Sequence, residues 1–171
     1  MTIKEYDLIK EMLHKQAKLD KSIMSAYGLK KITDDKLAFA ILDEVGELTH
    51  ELKGDWCWWK KTQPPVDMGK VLGELVDIWH FVLSYQNNIN LGEMSLYEFE
   101  KEKGEANRLL EQMRANSYEL PYALVDIASC CHHALEILIA VTEYLGFTIE
   151  QVYDAYCGKN KINYQRLKEG Y

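Results

Sequence analysis

Two short acidic turns carry the residue types best suited to chemistry: Asp43-Glu44-Val45-Gly46-Glu47 and Gly73-Glu74-Leu75-Val76-Asp77. In each, two carboxylates stand three residues apart. At about 100° per residue, a helix places such a pair on one face, one turn above the other. Glu44, Glu47, Glu74 and Asp77 are thereby aimed at one place. Around Glu74, the run Val71, Leu72, Leu75, Val76, Ile78, Trp79, Phe81, Val82 and Leu83 is apolar almost all the way round, which marks a buried helix. On a helical wheel Ile78, Phe81, Tyr85 and Val71 fall within roughly 60° of Glu74. An ionised carboxylate taken out of water costs several kcal/mol unless it is paired, protonated or bound to a metal. The nearest base on that face is Lys70, one turn back. Hard cations select oxygen donors, so the two E-x-x-(E/D) turns are expected to form a magnesium cage.

These turns need helices to hold them. Leu37, Ile41, Val45, Leu48 and Leu52 form an apolar stripe with Glu44, Glu47 and Glu51 along its border, and Glu51 reads as a solvated edge. Upstream, Tyr6, Ile9, Leu13, Gln16 or Ala17, and Ile23 recur at helical spacing, with Thr2 available as a cap. Gln16 falls in the apolar register, so its amide is either satisfied by a neighbouring helix or reserved for a ligand. The segment from Gly28 to Asp35 connects the two helices, with Thr33, Asp34 or Asp35 as the cap. After Gly54 comes a loop holding Trp56, Trp58 and Trp59, then Lys60 and Lys61. It could stack a base and meet a phosphate, or seal the bundle as a flap. Pro64-Pro65 blocks helix and Asp67 caps the second acidic helix.

Asn87 to Gly92 is a break, and the charged stretch from Ser95 to Ala115, weakened by Gly104, reads as a solvated helix or mobile arm. Tyr122 to Leu145 is expected to be one long helix, its His132 and His133 serving as ordinary core or surface residues. Gly146 ends it, and Thr148 with Gln151 forms a capping box for a last helix. The tail, residues 159–171, is the one strongly basic stretch. No strand alternation or fixed-period repeat is visible, so the fold class is all-α, a bundle of five or six helices.

At 171 residues the chain is expected to form one domain over 1–171. A net charge of -7 argues against gripping a nucleic acid polymer, although a phosphate-bearing small molecule remains compatible if cations bridge it to the acids. Cys57, Cys130, Cys131 and Cys157 have no zinc-like spacing, and no leader-like stretch is read at the N-terminus, so a cytoplasmic protein with reduced thiols is expected. Asp126, His132, His133 and Glu136 interrupt the most apolar stretch, so no membrane span is expected.

Taken together, Glu44-x-x-Glu47, Glu74-x-x-Asp77-x-x-His80-Phe81, the tryptophan-lysine loop between them and the ending K-N-x-(I/L)-N-x-x-R-x-x-x-G-Y resemble the dimeric, all-α dUTPases of the MazG-like nucleotide pyrophosphatase superfamily. The resemblance also takes in Gln16-x-x-Leu19-Asp20, and so covers most of the chain. It implies a multi-helix bundle of the all-α NTP pyrophosphatase type, a homodimer, and Mg²⁺-dependent hydrolysis of dUTP, with dUDP as a second substrate, to dUMP by water attack at the α-phosphorus. It implies that Glu44, Glu47, Glu74 and Asp77 hold two or more magnesium ions, with Glu44 or Glu47 activating water. Gln16, Trp56 and His80 match positions near the uracil and deoxyribose. Lys159, Asn163, Arg166 and Tyr171 match those that close over the phosphates and base, on a segment expected to be mobile until substrate binds. The chain departs from the family at Leu167, where a glutamine is usual, and residues 93–121 match no motif.

Three other readings fit parts of the pattern. One is a dCTP or house-cleaning pyrophosphatase of the same superfamily. Another is a di-iron carboxylate bundle, but this wants Glu-x-x-His pairs, and Glu47 is followed by His50 whereas Glu74 is followed by Asp77. The third is a non-catalytic helical binding protein with structural acids.

Overall fold

The computed structural model describes residues 3–90, 94–129 and 131–170, and among them every regular element is helical. The elements are α1 (Ile3–Tyr27), α2 (Asp34–Glu51), α3 (Lys53–Trp56), α4 (Met68–Asn90), α5 (Leu96–Arg114), α6 (Leu120–Ser129), α7 (Ala134–Tyr144) and α8 (Ile149–Glu169). A short 3₁₀ turn, Cys131–His133, joins α6 to α7. The Thr2 cap lies outside the described residues.

The apolar run predicted to be buried forms the centre of the bundle. Helix α4 contacts α1, α2, α7 and α8, and Val71, Leu75, Val76, Ile78, Trp79, Val82 and Leu83 are buried. Trp79 brings a polar N–H into this core, which needs a partner. Its indole donates to Thr142 Oγ1 of α7 at 3.1 Å, and that hydroxyl in turn donates to Leu138 O at 2.7 Å. Asp67 accepts from the Gly69 amide at 2.9 Å and so starts α4. The Thr148–Gln151 capping box starts α8. Gly146 at φ 85 stops α7, a conformation that costs a residue with a Cβ more than glycine.

The described residues hold eight α-helices rather than five or six, α4 runs on to Asn90 through the first part of the expected break, and two further sequence expectations change. The charged stretch forms helix α5, opened by a Ser95–Glu98 capping box and laid along α7. Phe99, Ala106, Leu110 and Met113 recur every three to seven residues and bury one stripe, which the neighbouring charges obscure in the sequence. Lys103 lies in that stripe and is buried, but it pairs with Glu143 of α7, so its charge is compensated. The single long helix from Tyr122 to Leu145 is instead α6 and α7, separated by the 3₁₀ turn. Neither proline nor glycine marks that break. At the end of the 3₁₀ turn, His133 Nδ1 meets Glu136 Oε1 at 2.6 Å across the first turn of α7.

Candidate functional site

Helices α1, α2, α4 and α8 enclose a cavity of about 660 Å³ whose lining includes Gln16, Glu44, Glu47, Glu74, Asp77, His80, Lys159, Asn163 and Arg166. The geometry follows from α2 lying along α4, which sets the two acidic turns face to face. Carboxylate oxygens of Glu44, Glu74 and Asp77 lie within 4.8 Å of one another. Glu47 sits against Glu74 and is the most exposed of the four. Glu74 is half-buried, less enclosed than the apolar arc suggests, because its side of α4 faces the acids of α2 while Val71, Ile78 and Tyr85 are buried.

The base that answers these acids comes from another helix than expected. Lys70 reaches Glu51 at 3.9 Å, whereas Lys159 of α8 pairs with Asp77. Lys159 and the charge of Arg166 against four carboxylates still leave the cluster short of positive charge. Burial, followed by the charges of Asp77, Glu47, Glu74 and Asp43, pushes the Glu44 carboxyl up to about 7. Burial, Glu47 and Asp77 raise Glu74 against the opposing charge of Lys159. Asp77 is also raised by burial, against the pull of Lys159 and Arg166. A convergent set of oxygen donors with excess negative charge fits a hard divalent cation.

The same shifts carry a stability consequence. A carboxyl that holds its proton more tightly folded than unfolded favours the folded state while protonated, and that advantage is lost as pH rises from its ordinary value of 4.5 toward the raised one. Glu102 on α5, half-buried against Glu136 of α7, adds to the effect because partial burial and that neighbour push it up to about 8. In EDTA the melting temperature is expected to fall by a few degrees between about pH 5 and about pH 8. Magnesium is expected to recover the part due to Glu44, since a ligand that binds only the folded state stabilises it. Calorimetry across this range, with and without the ion, checks both; a flat profile would contradict the crowding.

Beyond the acids, the cavity is built around Gln16. Its amide is satisfied by its own helix and by α4 and α8: Nε2 donates to Asp20 Oδ1 of α1 at 2.8 Å and to Ser84 Oγ of α4 at 3.0 Å, while Oε1 accepts from Tyr156 of α8 at 2.8 Å and meets His80 Nδ1 of α4 at 2.7 Å. Asp20 and Ser84 also line the cavity, a part in the site that the motifs alone do not reveal. A polar residue four on from Gln16, and another four on from His80, is the spacing that could have revealed them. Leu167 presents an apolar wall. Trp56 stands apart from the lining, with its indole donating to Thr49 O at 2.9 Å. Tyr171 lies outside the described residues.

A second cavity of about 660 Å³ is built from different helices, with Glu102 and Arg108 of α5 facing His133 and Glu136. Among the described residues, its acids and histidines form no cluster of three with ligand atoms close enough to share an ion, unlike Glu44, Glu74 and Asp77. No helix of the described residues is long and apolar enough to cross a membrane. No curated protein matches the chain significantly. The model of the family described as dUTPase matches residues 8–171, a span that holds both acidic helices and the Gln16 network.

Proposed function

Because the chain belongs to the dUTPase family, and so to the dUTP diphosphatases, we propose that this cavity hydrolyses dUTP to dUMP and pyrophosphate by water attack at the α-phosphorus, with dUDP as a second substrate. The observation that carries the reading is the convergence of Glu44, Glu74 and Asp77 beside Lys159 in one cavity. Glu44, Glu47, Glu74 and Asp77 would hold two or more magnesium ions. Bound there, magnesium would screen the phosphate oxygens and acidify water. One of the α2 pair, Glu44 or Glu47, takes the proton of the attacking water. Lys159 and Arg166 hold the phosphates from α8, and Asn163 lies between them on that helix. Gln16 and His80 orient the nucleoside. The segment 159–171 closes over substrate, with Trp56 and Tyr171 as contacts made on closure.

A panel of nucleotides tests the reading. The kcat/KM for dUTP should exceed that for dTTP, UTP and dCTP, the first two carrying a methyl or hydroxyl that a closed pocket rejects. Comparable values for dUTP and dCTP would favour the broader pyrophosphatase reading.

We also propose that the chain acts as a homodimer. Phe39 and Leu42 of α2 are 73% and 54% exposed, and Tyr122 and Val125 of the contacting helix α6 are 63% and 58% exposed. An apolar face of this kind, beside the acidic turn of α2, suits a second copy of the chain. Light scattering should show a dimer at micromolar concentration, and Phe39→Glu with Val125→Glu should give monomers. A monomeric parent protein would contradict the assignment.

A further inference from the structure

His80 is 4% exposed, stacks on the Tyr156 ring at 4.2 Å between centroids, and has one ring nitrogen, Nε2, that is buried without a protein partner. Its other nitrogen, Nδ1, faces Gln16 Oε1. Which nitrogen carries the proton depends on which way the Gln16 amide points, and the surrounding groups decide that. Asp20 offers carboxylate oxygen to one end of the amide and therefore selects the NH₂ group there. Ser84 donates to the same Asp20 oxygen at 3.0 Å, which leaves its lone pairs to accept from Gln16 Nε2. At the other end, the Tyr156 hydroxyl donates to Oε1. Turning the amide over would set Oε1 against the Asp20 carboxylate, two acceptors facing one another, and would leave the Tyr156 hydroxyl to donate to Met12 O at 3.3 Å instead. With Oε1 fixed as an acceptor, His80 must donate to it from Nδ1.

We propose that Asp20, Ser84 and Tyr156 are positioning residues: they fix the Gln16 amide and through it hold His80 as the Nδ1–H tautomer, so that Nε2 offers a lone pair to a hydrogen-bond donor of the bound nucleotide. This rests on the reading that the cavity holds a deoxyuridine nucleotide. Burial holds His80 well below the ordinary imidazole range, at about 3, so the ring is neutral throughout the working range. A buried acceptor without a partner is unfavourable, and a donor arriving with substrate relieves it. A deoxyuridine nucleotide has two such donors, the base N3–H and the 3′-hydroxyl. Cytosine has a lone pair at N3, so a contact to the base would also oppose dCTP, because two acceptors would then face one another.

The test is made on the full chain with ¹⁵N-labelled histidine, with the His80 signals assigned by their loss in His80→Gln. At neutral pH the wild-type ring should be a single neutral tautomer protonated at Nδ1. Asp20→Asn offers Gln16 either an oxygen or an NH₂ group, so it should give a mixture of tautomers. Ser84→Ala is a second variant should the first fold poorly. In Asp20→Asn, the KM for dUTP should rise about tenfold with a smaller change in kcat. Two analogues locate the donor: the penalty should vanish with N3-methyl-dUTP if the base donates, or with 2′,3′-dideoxyuridine triphosphate if the sugar does. A wild-type ring protonated at Nε2, an unchanged tautomer and KM in the variants, or a penalty that persists with both analogues would overturn the proposal. Failure of the wild-type protein to hydrolyse dUTP would remove the functional reading and leave the tautomer result standing.

Discussion

Glu74→Ala should lower dUTP turnover by at least about 10³-fold while the protein remains folded, a loss on the scale seen when a preorganised electrostatic contact to the transition state is removed. Glu74 contributes an oxygen to the set within 4.8 Å that also includes Glu44 and Asp77. Without it Asp77 is the one carboxylate that α4 still offers to a cation shared with α2, and the set of three is broken. The substitution also removes one of the charges that raise Glu44, so the cation-free protein should melt at the same temperature as the parent or slightly higher. Thermal melts with and without magnesium separate these effects: the variant should lose most of the stabilisation given by the ion. Wild-type turnover in Glu74→Ala would sink the assignment of the four acids to a metal cage.

Arg166→Ala should lower kcat/KM by about 10²-fold, and Arg166→Lys should restore only part of the loss, because a guanidinium can fork onto two phosphate oxygens and an ammonium cannot. Arg166 lies two turns beyond Lys159 on α8, lines the cavity and acts on Asp77 through its charge. Deleting residues 159–171 should cost at least as much activity. Melting should change little, since of that segment Asn160 is the one described residue that is buried. Protease cleavage within the segment should slow when a non-hydrolysable dUTP analogue and magnesium are present. Normal turnover by the deletion variant would reduce the segment to a solvated helix end.

The acidic helices were legible because their spacing and apolar setting act locally: an i, i+3 pair on a greasy helix declares both its face and its cost. The family match over residues 8–171 bears out the resemblance drawn from those turns and the tail. The all-helical architecture was equally legible, since no stretch alternates with period two. What a local pattern could not supply was the partner. The base beside Asp77 is Lys159, far along the chain, so reading α4 alone pointed to Lys70. Gln16 was recognised as a polar residue in an apolar register, but the choice between a satisfied amide and a ligand group depended on Asp20, Ser84 and Tyr156. Helix α5 was obscured for a related reason. Its buried stripe includes Lys103, which is at home there only because Glu143 on α7 meets it.

The central claim concerns where the acids and α8 direct attack on the triphosphate, and hydrolysis of dUTP in ¹⁸O-labelled water with magnesium tests it most directly. Mass spectrometry of the products should find one labelled oxygen in dUMP, none in pyrophosphate, and no turnover in EDTA. Label in pyrophosphate or orthophosphate, or undiminished turnover without divalent cations, would contradict the account.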